Sequence, residues 1–415
     1  MNTPKIRFKG FKDDWEQRKL GALMEDGIIL EQSDGNHGEL YPRSEEFVNE
    51  GIPYIAASSI SSDGERIDFN LTKYLSMERA IQFRKGVAKN GDVLLAHNAT
   101  VGPSVMLSMD YEFAILSTSL TLYRLDKEKM SPMFFLQAIR SGYFQKQLEV
   151  FMKQTTRSQV PILTQRNLQI SYPINKVEQE RIGEFLSNLD HLITLHQRKC
   201  DETKELKKFM LQKMFPKNGE KNPEIRFDGF TDDWEQRKFS DLYVKVSEKN
   251  DLSFGADKII SVANMYFKQD IKESGDDYMK TYNVMRLGDI AFEGNKSKNY
   301  AHGRFVENTI GDGIVSHVFD VFRPIVDYDL SYWKYFINNE GIMGRIMARC
   351  TKSSTMMTNL VANDFLKEFV LVPALAEQKE IGEYFRNLDN LITLHQRKCE
   401  KLKELKKFML QNMFV

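Results

Sequence analysis

The chain has 415 residues, enough for two or three domains, and its 41% hydrophobic and 28% charged residues are typical of a protein with real hydrophobic cores. Lysine plus arginine and aspartate plus glutamate number 58 each, and this zero balance argues against an isolated DNA-binding protein, although local basic faces or a basic partner remain compatible with it. No stretch approaches the ~20 continuous apolar residues of a membrane span. The three cysteines and an N-terminus without an apolar run favour a cytoplasmic protein.

A short segment at the start of the chain returns in its middle. Pro4–Leu20 reads PKIRFKGFKDDWEQRKL, Pro223–Phe239 reads PEIRFDGFTDDWEQRKF, and 13 of the 17 positions are identical. We call these two segments the caps. Trp15 and Trp234 occupy the same position in the two caps. A residue that is common to both caps cannot discriminate two ligands. We therefore expect these tryptophans to pack against helix ends rather than to stack on bases.

The first cap is followed by Gly21–Val177, which we call block one. Gly51–Ile60 reads as a strand with a polar turn, and Lys89–Leu107 reads as a turn, a buried strand, an exposed polar loop and a second strand. Ala114–Leu125 is a further strand region, whereas Pro132–Val150 has helical periodicity. Block one is therefore predicted to be a mixed α/β domain.

The next segment, Glu178–Phe215, predicts a long helix that recurs at Glu377–Phe414 with 28 of 38 positions identical. Only Gly183 and Gly382 interrupt a composition of good helix formers. Steps of three and four give each helix an apolar seam, and the most economical cover for each seam is the other helix. The sequence thus predicts an antiparallel coiled-coil spacer about 55 Å long. The seam residues that mark these predicted partner-docking helices are Ile182, Leu189, Ile193, Ile381, Leu388 and Ile392.

Block two, Ser240–Ala376, repeats the order of block one with different residues. Lys258–Phe267 predicts the first strand, Arg286–Val306 a strand, loop and strand, Gly313–Pro324 a later strand, and Tyr332–Ala348 a helix. Near-identical caps and helices around two divergent blocks favour a pseudo-two-fold protein that binds two different ligands or half-ligands. The alternative is a partial duplication without any requirement for symmetry.

These segments give a predicted domain division in four parts. It comprises the first cap with block one at 1–177, a spacer helix at 178–215, the second cap with block two at 216–376, and a second spacer helix at 377–415.

The paired caps, GDVLLAHNATVG and GDIAFEG in matching places, and two EQ…IGE helices resemble the specificity subunit of type I restriction–modification systems. This resemblance covers nearly the whole chain. It implies that each block is a target-recognition domain for one half of a split, asymmetric site in double-stranded DNA. It also implies that the coiled coil places the half-sites roughly one helical turn apart, ~34–36 Å. The partners it implies are two modification subunits docked on the helices, and restriction subunits that translocate DNA.

The resemblance further implies that the catalytic cofactors belong to the partners, with S-adenosylmethionine, ATP and Mg²⁺ bound there and none by this chain. The residues agree, because we find no G-x-x-x-x-G-K-[ST] loop, no G-x-G-x-x-G after a strand and no Asn-Pro-Pro-aromatic segment. The chain is thus predicted to be non-catalytic. A coiled-coil scaffold whose blocks bind proteins is the alternative, and a free-standing restriction enzyme is disfavoured by the missing motifs.

DNA sequence is read by side-chain donors and acceptors on base edges, while lysine, arginine and hydroxyl groups hold phosphates. The polar loops after the central strand of each block are the first candidates, and the hydroxyl-rich segments that end each block are the second. In block one the candidates are Arg84, Lys85, Lys89, His97, Asn98, Thr100, Thr155, Thr156, Arg157, Ser158 and Gln159, with Gly102 and Ser104 in the same loop. In block two they are Asn295, Lys296, Lys298, Asn299, Tyr300, His302, Arg304, Thr351, Lys352, Ser353 and Ser354. The alternative for each is an ordinary solvated loop.

Two other kinds of site are weighed and not adopted. His196 with Cys200, repeated as His395 with Cys399, has the i, i+4 spacing of zinc ligands, but packed seam positions explain these residues equally well. Asp289 and Glu293 with Lys296 weakly resemble a nuclease cluster, of which block one keeps only Asp92. We therefore predict neither a metal site nor catalytic residues.

Overall fold

The structure is a computed structural model, and it describes residues 3–61, 64–153, 158–217, 219–269, 275–353 and 357–414, without the side chains of Glu39 and Ser353. The chain forms two compact units. The first unit comprises residues 1–198 and 396–415, and the second comprises 199–395. Each unit therefore contains one cap, one block, the start of one long helix and the end of the other.

The first unit is a mixed α/β structure. Its strands are β1 (Glu16–Lys19), β2 (Ile29–Asp34), β3 (Phe47–Val48), β4 (Ile52–Ile55), β5 (Lys73–Leu75), β6 (Val87–Ala88), β7 (Val93–Asn98), β8 (Thr100–Met106), β9 (Ala114–Leu116), β10 (Leu120–Leu125) and β11 (Gln169–Tyr172). Its helices are α1 (Leu20–Glu25), α2 (Met77–Ala80), α3 (Pro132–Arg140), α4 (Gly142–Lys153), α5 (Ile162–Gln165) and the start of α6 (Lys176–Lys213). A four-stranded antiparallel sheet has the order β2-β10-β7-β8, and a five-stranded sheet has the order β3-β5-β4-β9-β6.

The second unit has the same plan with shorter strands. Its strands are β12 (Glu235–Lys238), β13 (Tyr243–Val246), β14 (Ile260–Ser261), β15 (Tyr266–Phe267), β16 (Asn283–Met285), β17 (Ile290–Glu293), β18 (Arg304–Glu307), β19 (Gly313–Val315), β20 (Val321–Pro324), β21 (Thr351–Ser353), β22 (Thr358–Leu360) and β23 (Phe369–Val372). Its helices are α7 (Asp276–Met279), α8 (Leu330–Ile337), α9 (Glu340–Cys350), α10 (Ala362–Lys367) and the start of α11 (Leu375–Asn412). Its four-stranded sheet, β13-β20-β17-β18, corresponds strand for strand to β2-β10-β7-β8.

Most predicted elements are confirmed, and the differences occur at turns. Lys258–Phe267 is not one strand, because Met265 has a φ of +50° and β14 turns back onto β15. Ala114–Leu125 divides into β9 and β10, and Pro132–Val150 divides into α3 and α4 at Ser141. In the second unit Gly313–Pro324 divides into β19 and β20, and Tyr332–Ala348 divides into α8 and α9. Short polar turns inside these apolar stretches are weak signals in a sequence, because the flanking residues keep the same periodicity.

The two long helices are confirmed, each with 38 residues and each beginning two residues earlier than predicted. In the first unit the Cys399 thiol lies 4.0 Å from the Ile193 carbonyl oxygen, and Lys406 forms an ion pair with Asp190. In the second unit the corresponding distance, from Cys200 Sγ to Ile392 O, is also 4.0 Å. In these contacting pairs the residue numbers rise along one helix as they fall along the other. The helix segments within each unit are therefore antiparallel.

Four of the six seam residues predicted to mark docking helices, Ile182, Leu189, Ile381 and Leu388, belong to the hydrophobic cores of the two units. Five of the six, Ile182, Leu189, Ile193, Ile381 and Leu388, are at most 7% exposed, and Ile392 is half-buried. The five buried side chains are therefore covered by the chain itself and offer a partner little direct contact. The prediction of docking passes to the exposed faces of the same helices.

Each cap ties its block to a helix start through a bidentate ion pair. The Arg7 guanidinium donates to both carboxylate oxygens of Glu178 at 2.6 and 2.8 Å, and Arg226 does the same to Glu377 at 2.7 Å. Trp15 is 3% exposed and meets Phe414, at the end of α11, edge-on. The predicted packing of the cap tryptophans against helix ends is confirmed.

The single glycine near each helix start marks a close approach to the block. A Cβ on Gly183 would lie 2.8 Å from the Phe134 backbone nitrogen, and one on Gly382 would lie 2.7 Å from the Tyr332 backbone nitrogen. The preceding glutamine, Gln179 in the first unit, accepts a hydrogen bond from Ser131 N–H at 3.0 Å and donates to Pro173 O at 2.8 Å. The helices thus hold each block largely through backbone atoms, so block side chains can differ while the attachment stays the same.

Candidate nucleic-acid interface

In each unit the candidate loops lie at one end of the four-stranded sheet, along the edge formed by the ends of its strands. In the first unit β2 and β7 end at this edge, and β8 and β10 begin there, because neighbouring strands are antiparallel. In the second unit β13, β17, β18 and β20 place the same ends together. We call this edge the loop end of each sheet.

The loop end of the first unit carries a very tight hairpin instead of the exposed polar loop predicted from the sequence. Asn98 pairs with Thr100, and Ala99 between them has a φ of +60°. Thr100 is exposed and Asn98 is half-buried. Gly102 and Ser104 lie within β8 and are buried, so they are wrongly assigned to the loop. Asn98 and Thr100 are thus the side chains of this hairpin that a ligand can reach.

His97 is also wrongly placed by the sequence analysis. It is 5% exposed, its Nδ1 is 2.9 Å from the Thr121 hydroxyl, and burial lowers the pKa of its imidazole. This buried, hydrogen-bonded histidine supports the hairpin from inside the sheet. It cannot contact a base edge without unfolding β7.

The second candidate segment of block one lies beside this hairpin. Gln159 forms a β-bridge with Asn98, and Val160 N–H donates to His97 O at 2.9 Å. Ser158 is exposed and Gln159 is half-buried. The other predicted residues of this segment, Thr155, Thr156 and Arg157, lie outside the described residues. The structure therefore brings the two candidate segments together.

The three predicted phosphate contacts of block one do not share one surface. Arg84 and Lys85 are exposed, and Asn36, which follows β2, donates to Lys85 O at 2.7 Å, so both lie near the loop end. Lys89 precedes β7 and therefore lies at the opposite end of that strand. The six residues of β7 separate it from Asn98 by roughly 17–20 Å at ~3.3 Å per residue. Lys89 is a wrong prediction for this surface.

The sequence analysis missed polar residues that the sheet order brings to the loop end. His37, whose side chain is 69% exposed, lies 3.1 Å from Asp34 at the end of β2. In the second unit the exposed His317 lies between β19 and β20, and the β20 side of this turn reaches β17, since Phe292 N–H donates to Asp320 O at 3.1 Å. Only strand order relates these residues to the predicted loops, so no local signal could have found them.

The second unit carries a longer loop at the same edge. Its exposed members are Asn295, Lys296, Lys298 and Asn299, while Tyr300 and His302 are half-buried. The loop is held from below, because the Thr358 hydroxyl donates to Gly294 O or His302 O, each at 3.0 Å. The loop therefore presents the exposed side chains of two lysines and two asparagines at this edge.

Arg304 is part of the loop's support, and its contact with DNA stays a prediction. Its Nε donates to Glu293 at 2.9 Å, another nitrogen donates to Ala263 O at 2.6 Å, and the guanidinium lies over the Tyr300 ring. Asn295 donates to the other oxygen of Glu293 at 3.2 Å. This pairing also accounts for Glu293 without nuclease chemistry, as does the Arg323–Asp289 ion pair at the other end of β17.

The second candidate segment of block two also meets its loop. Met357 forms a β-bridge with Asn295, and Thr358 N–H donates to Gly294 O at 2.8 Å. Lys352 is exposed, whereas the Thr351 hydroxyl is bonded to Met347 O at 2.7 Å. Ser353 pairs with Thr358 through its backbone, its side chain is outside the description, and Ser354 lies outside the described residues. Both units thus combine a hairpin loop with a later segment at one edge.

Comparison with known proteins reveals the family of this architecture. The sequence pattern described as the type I restriction modification DNA specificity domain matches residues 12–205 and 231–404. The chain belongs to this family. Specificity subunits of this family supply DNA-sequence recognition to restriction–modification complexes and are not themselves catalytic.

Two relatives from Methanocaldococcus jannaschii support this assignment. The protein named as the MjaX type I restriction enzyme specificity subunit is 23% identical over 98% of this chain and 94% of its own length. The MjaVIII specificity subunit is 23% identical over 77% of each chain. The crystal structure of the type I S subunit from M. genitalium has a TM-score of 0.62 at 14% identity, over 100% of this chain and 99% of that one, and it confirms the fold.

Two further observations concern metal sites and membrane-spanning helices. Within the described residues, no group of three or more histidine, cysteine or acidic residues could hold a metal ion, and Cys200 and Cys399 are buried in the helix seams. No helix in the described part of the chain is long and apolar enough to cross a membrane.

Proposed function

We propose that this chain reads an asymmetric, bipartite site in double-stranded DNA, with one half-site read at the loop end of each unit. The observation that carries this proposal is the contrast between the two loop ends. Equivalent sheets, held by near-identical caps and helices, present different side chains at the same edge. Two different surfaces on matched supports are suited to two different half-sites.

The side chains at each loop end suit the two parts of DNA recognition. Asn98, Thr100 and Gln159 offer uncharged donors and acceptors, which is the chemistry that distinguishes base edges in the major groove. In the second unit Asn295 and Asn299 offer the same chemistry, and neighbouring lysines add phosphate contacts. We infer that binding to the second half-site depends more strongly on salt concentration than binding to the first.

We further propose that the exposed flank of the two long helices docks partner subunits. Large apolar side chains there are 39–52% exposed and come in repeat-related positions, with residue numbers that differ by 199. They are Leu192 with Leu391, Leu206 with Leu405, and Phe209 with Phe408, together with Leu394. A surface presented twice fits two copies of one modification subunit, which would carry S-adenosylmethionine, while restriction subunits would carry ATP and Mg²⁺.

The recognition proposal is tested by expressing the chain with its neighbouring methyltransferase subunit in a host without DNA methylation and mapping modified adenines across the genome. We expect one split motif. Replacing Asn98 and Thr100 of one loop end by alanine should change one half of that motif only. An intact complex that modifies no defined sequence would contradict the proposal and favour a protein scaffold.

The docking proposal is tested with Leu206→Ser combined with Leu405→Ser. We expect the methyltransferase subunit to separate from this variant on a sizing column, while Leu30→Ser, at an exposed leucine in β2, leaves the complex intact. Equal retention of the partner by both variants would place the docking surface elsewhere.

A further inference from the structure

A basic cleft lies in the second unit between the last turns of α6 and the start of α9. Its volume is about 630 Å³, and its floor includes Leu211 and Phe215. Lys204, Lys208 and Arg345 line it. The Asn339 amide donates to Leu211 O at 3.1 Å and thereby holds the start of α9 against the long helix. The cleft is therefore a built feature of the fold.

The first unit has a counterpart between the last turns of α11 and the start of α4. Its volume is about 570 Å³, and Lys403, Lys407 and Leu410 line it. These are the repeat positions of Lys204, Lys208 and Leu211, at the offset of 199 residues that relates the two long helices. Both clefts are formed by the same KELKKFMLQ segment, although the blocks that complete them differ.

Several cations in the clefts are not neutralised by the protein. Lys208, Arg345, Lys403 and Lys407 are exposed and form no ion pair with any residue in the described ranges. The lysine beside them is used differently, as Lys207 pairs with Asp389 at 2.6 Å in the second unit. Lys406 likewise pairs with Asp190 in the first unit, and Lys204 lies 3.5 Å from Asp201, so the lysines without an acidic partner are Lys208, Lys403 and Lys407 among the cleft lysines in the described ranges.

Both clefts adjoin the strands that lead to the loop end. In the second unit the cleft residue Glu340 lies close to Ala301 and His302 of the 294–303 loop. In the first unit the wall of the cleft is tied to β8, because Arg140 donates to Ser104 O at 2.6 Å and Gln145 donates to Gly102 O at 3.2 Å. A duplex at either loop end would therefore have basic groups of the cleft available beyond those of the loops themselves.

We propose that the two clefts hold phosphates of the DNA backbone next to each half-site, with Lys204, Lys208 and Arg345 in one and Lys403 and Lys407 in the other. This inference rests on the proposed function. The loops differ between the units, whereas the cleft lysines are the same. Contacts that must be the same at two different half-sites suit the phosphate backbone, the part of DNA that does not vary with sequence.

The test measures how the affinity of the complete complex for its DNA depends on salt. Each phosphate contact contributes about 0.9 to the slope of log K against log salt, so Lys208→Gln with Lys407→Gln should reduce the slope by about 2. Lys199→Gln with Lys398→Gln removes two exposed lysines of the same helices that line neither cleft, and we expect it to leave the slope unchanged. The methylated motif should be the same for both variants.

Equal slopes for the two variants would overturn the inference. So would loss of the methyltransferase subunit from the Lys208→Gln, Lys407→Gln variant with an unchanged slope, because the clefts would then bind an acidic protein segment. The proposed function fails separately, if the wild-type complex modifies no defined motif while its binding to duplex DNA still shows the lysine-dependent slope.

Discussion

The two loop ends solve the same structural problem in different ways. In the first unit a turn around Ala99 keeps the tip short and uncharged, and the buried pair His97–Thr121 supports it. In the second unit ten residues, 294–303, separate the strands, and Glu293, Arg304 and Thr358 support them. The comparison teaches that the sheet fixes where the exposed loop residues lie. The length of each loop goes with the polar contacts beneath it.

The largest effect is expected from removing the support of the longer loop. Arg304→Met leaves the Glu293 carboxylate, whose side chain is 10% exposed, without its cation, and we expect the free energy of unfolding of the second unit to fall by about 3 kcal/mol. Half-site two should be lost from the methylated motif before half-site one. Chemical denaturation and adenine mapping would measure the two effects.

The matched variant is Arg304→Met with Glu293→Gln. It removes the unpaired charge, and we expect it to recover most of the stability. If the single and double variants were equally stable, the ion pair would not be what supports the loop.

A second difference between the sheets concerns the residue opposite the start of the central strand. Glu307 pairs with Ile290, whereas the equivalent partner of Val93 is Met106. Neither carboxyl oxygen of Glu307 has a hydrogen-bond partner within the described residues, and burial raises the pKa of this carboxyl to about 9. The folded state therefore keeps a proton that the unfolded state loses above its ordinary pKa of about 4.5.

The sign of the pH dependence follows from this retained proton. Between pH 4.5 and 9 the unfolded state binds fewer protons, so the stability of the second unit should fall as pH rises, by about 3 kcal/mol at pH 7. Glu307→Gln should flatten this dependence, and Glu307→Met, the residue of the first unit, should raise the melting temperature. Parallel pH profiles for wild type and Glu307→Gln would show that this carboxyl is not responsible.

The helix glycines test whether both blocks are attached in the same way. Glycine to alanine within a helix usually stabilises it by about 0.5–1 kcal/mol. Here we expect Gly183→Ala and Gly382→Ala each to destabilise by about 1–2 kcal/mol, because the new methyl group meets backbone atoms of α3 or α8. Thermal unfolding would measure it, with Glu184→Ala and Glu383→Ala, at the next positions of the same helices, as controls. A gain in stability at either glycine would mean that the block can shift away at that attachment.

The smallest effects are expected from single exposed residues, and they should separate the two loop ends. Asn98→Ala should relax base preference in one half-site by about 1 kcal/mol, since it removes a direct contact. Lys298→Ala should weaken binding to all sequences alike and lower the salt slope by about 0.9. Competition binding with single-base variants of the motif would measure both. A base-specific loss from Lys298→Ala would reverse the roles assigned to the two residues.

Much of this architecture could be predicted from the sequence because it depends on repeated local patterns. The long helices, the paired caps and the strand–loop–strand of each block follow from periodicity and self-similarity over many residues. The packing of Trp15 against a helix end could also be predicted, because a residue that is common to both caps cannot discriminate two half-sites.

The predicted site was less accurate, because polar residues look alike in a sequence whether they are solvated or paired. His97 and Arg304 have the chemistry of DNA contacts, yet one is buried against Thr121 and the other is held by Glu293. Lys89 lies close to Asn98 in the sequence and at the opposite end of β7 in the structure. Each outcome depends on a partner distant in the sequence or on the direction of a strand.

By itself, the sequence determined that this protein has two matched pairs of cap and long helix around two divergent blocks. It also determined the family to which such a pattern belongs, because these properties follow from local periodicity and repetition. Only the tertiary structure decided which residues reach the loop ends and which support them. Strand order brings Asp34, Asn98 and Gln159 to one edge, and burial withdraws His97 from it. Such long-range pairing depends on the free energy of the whole packed unit, which no single segment of the chain contains.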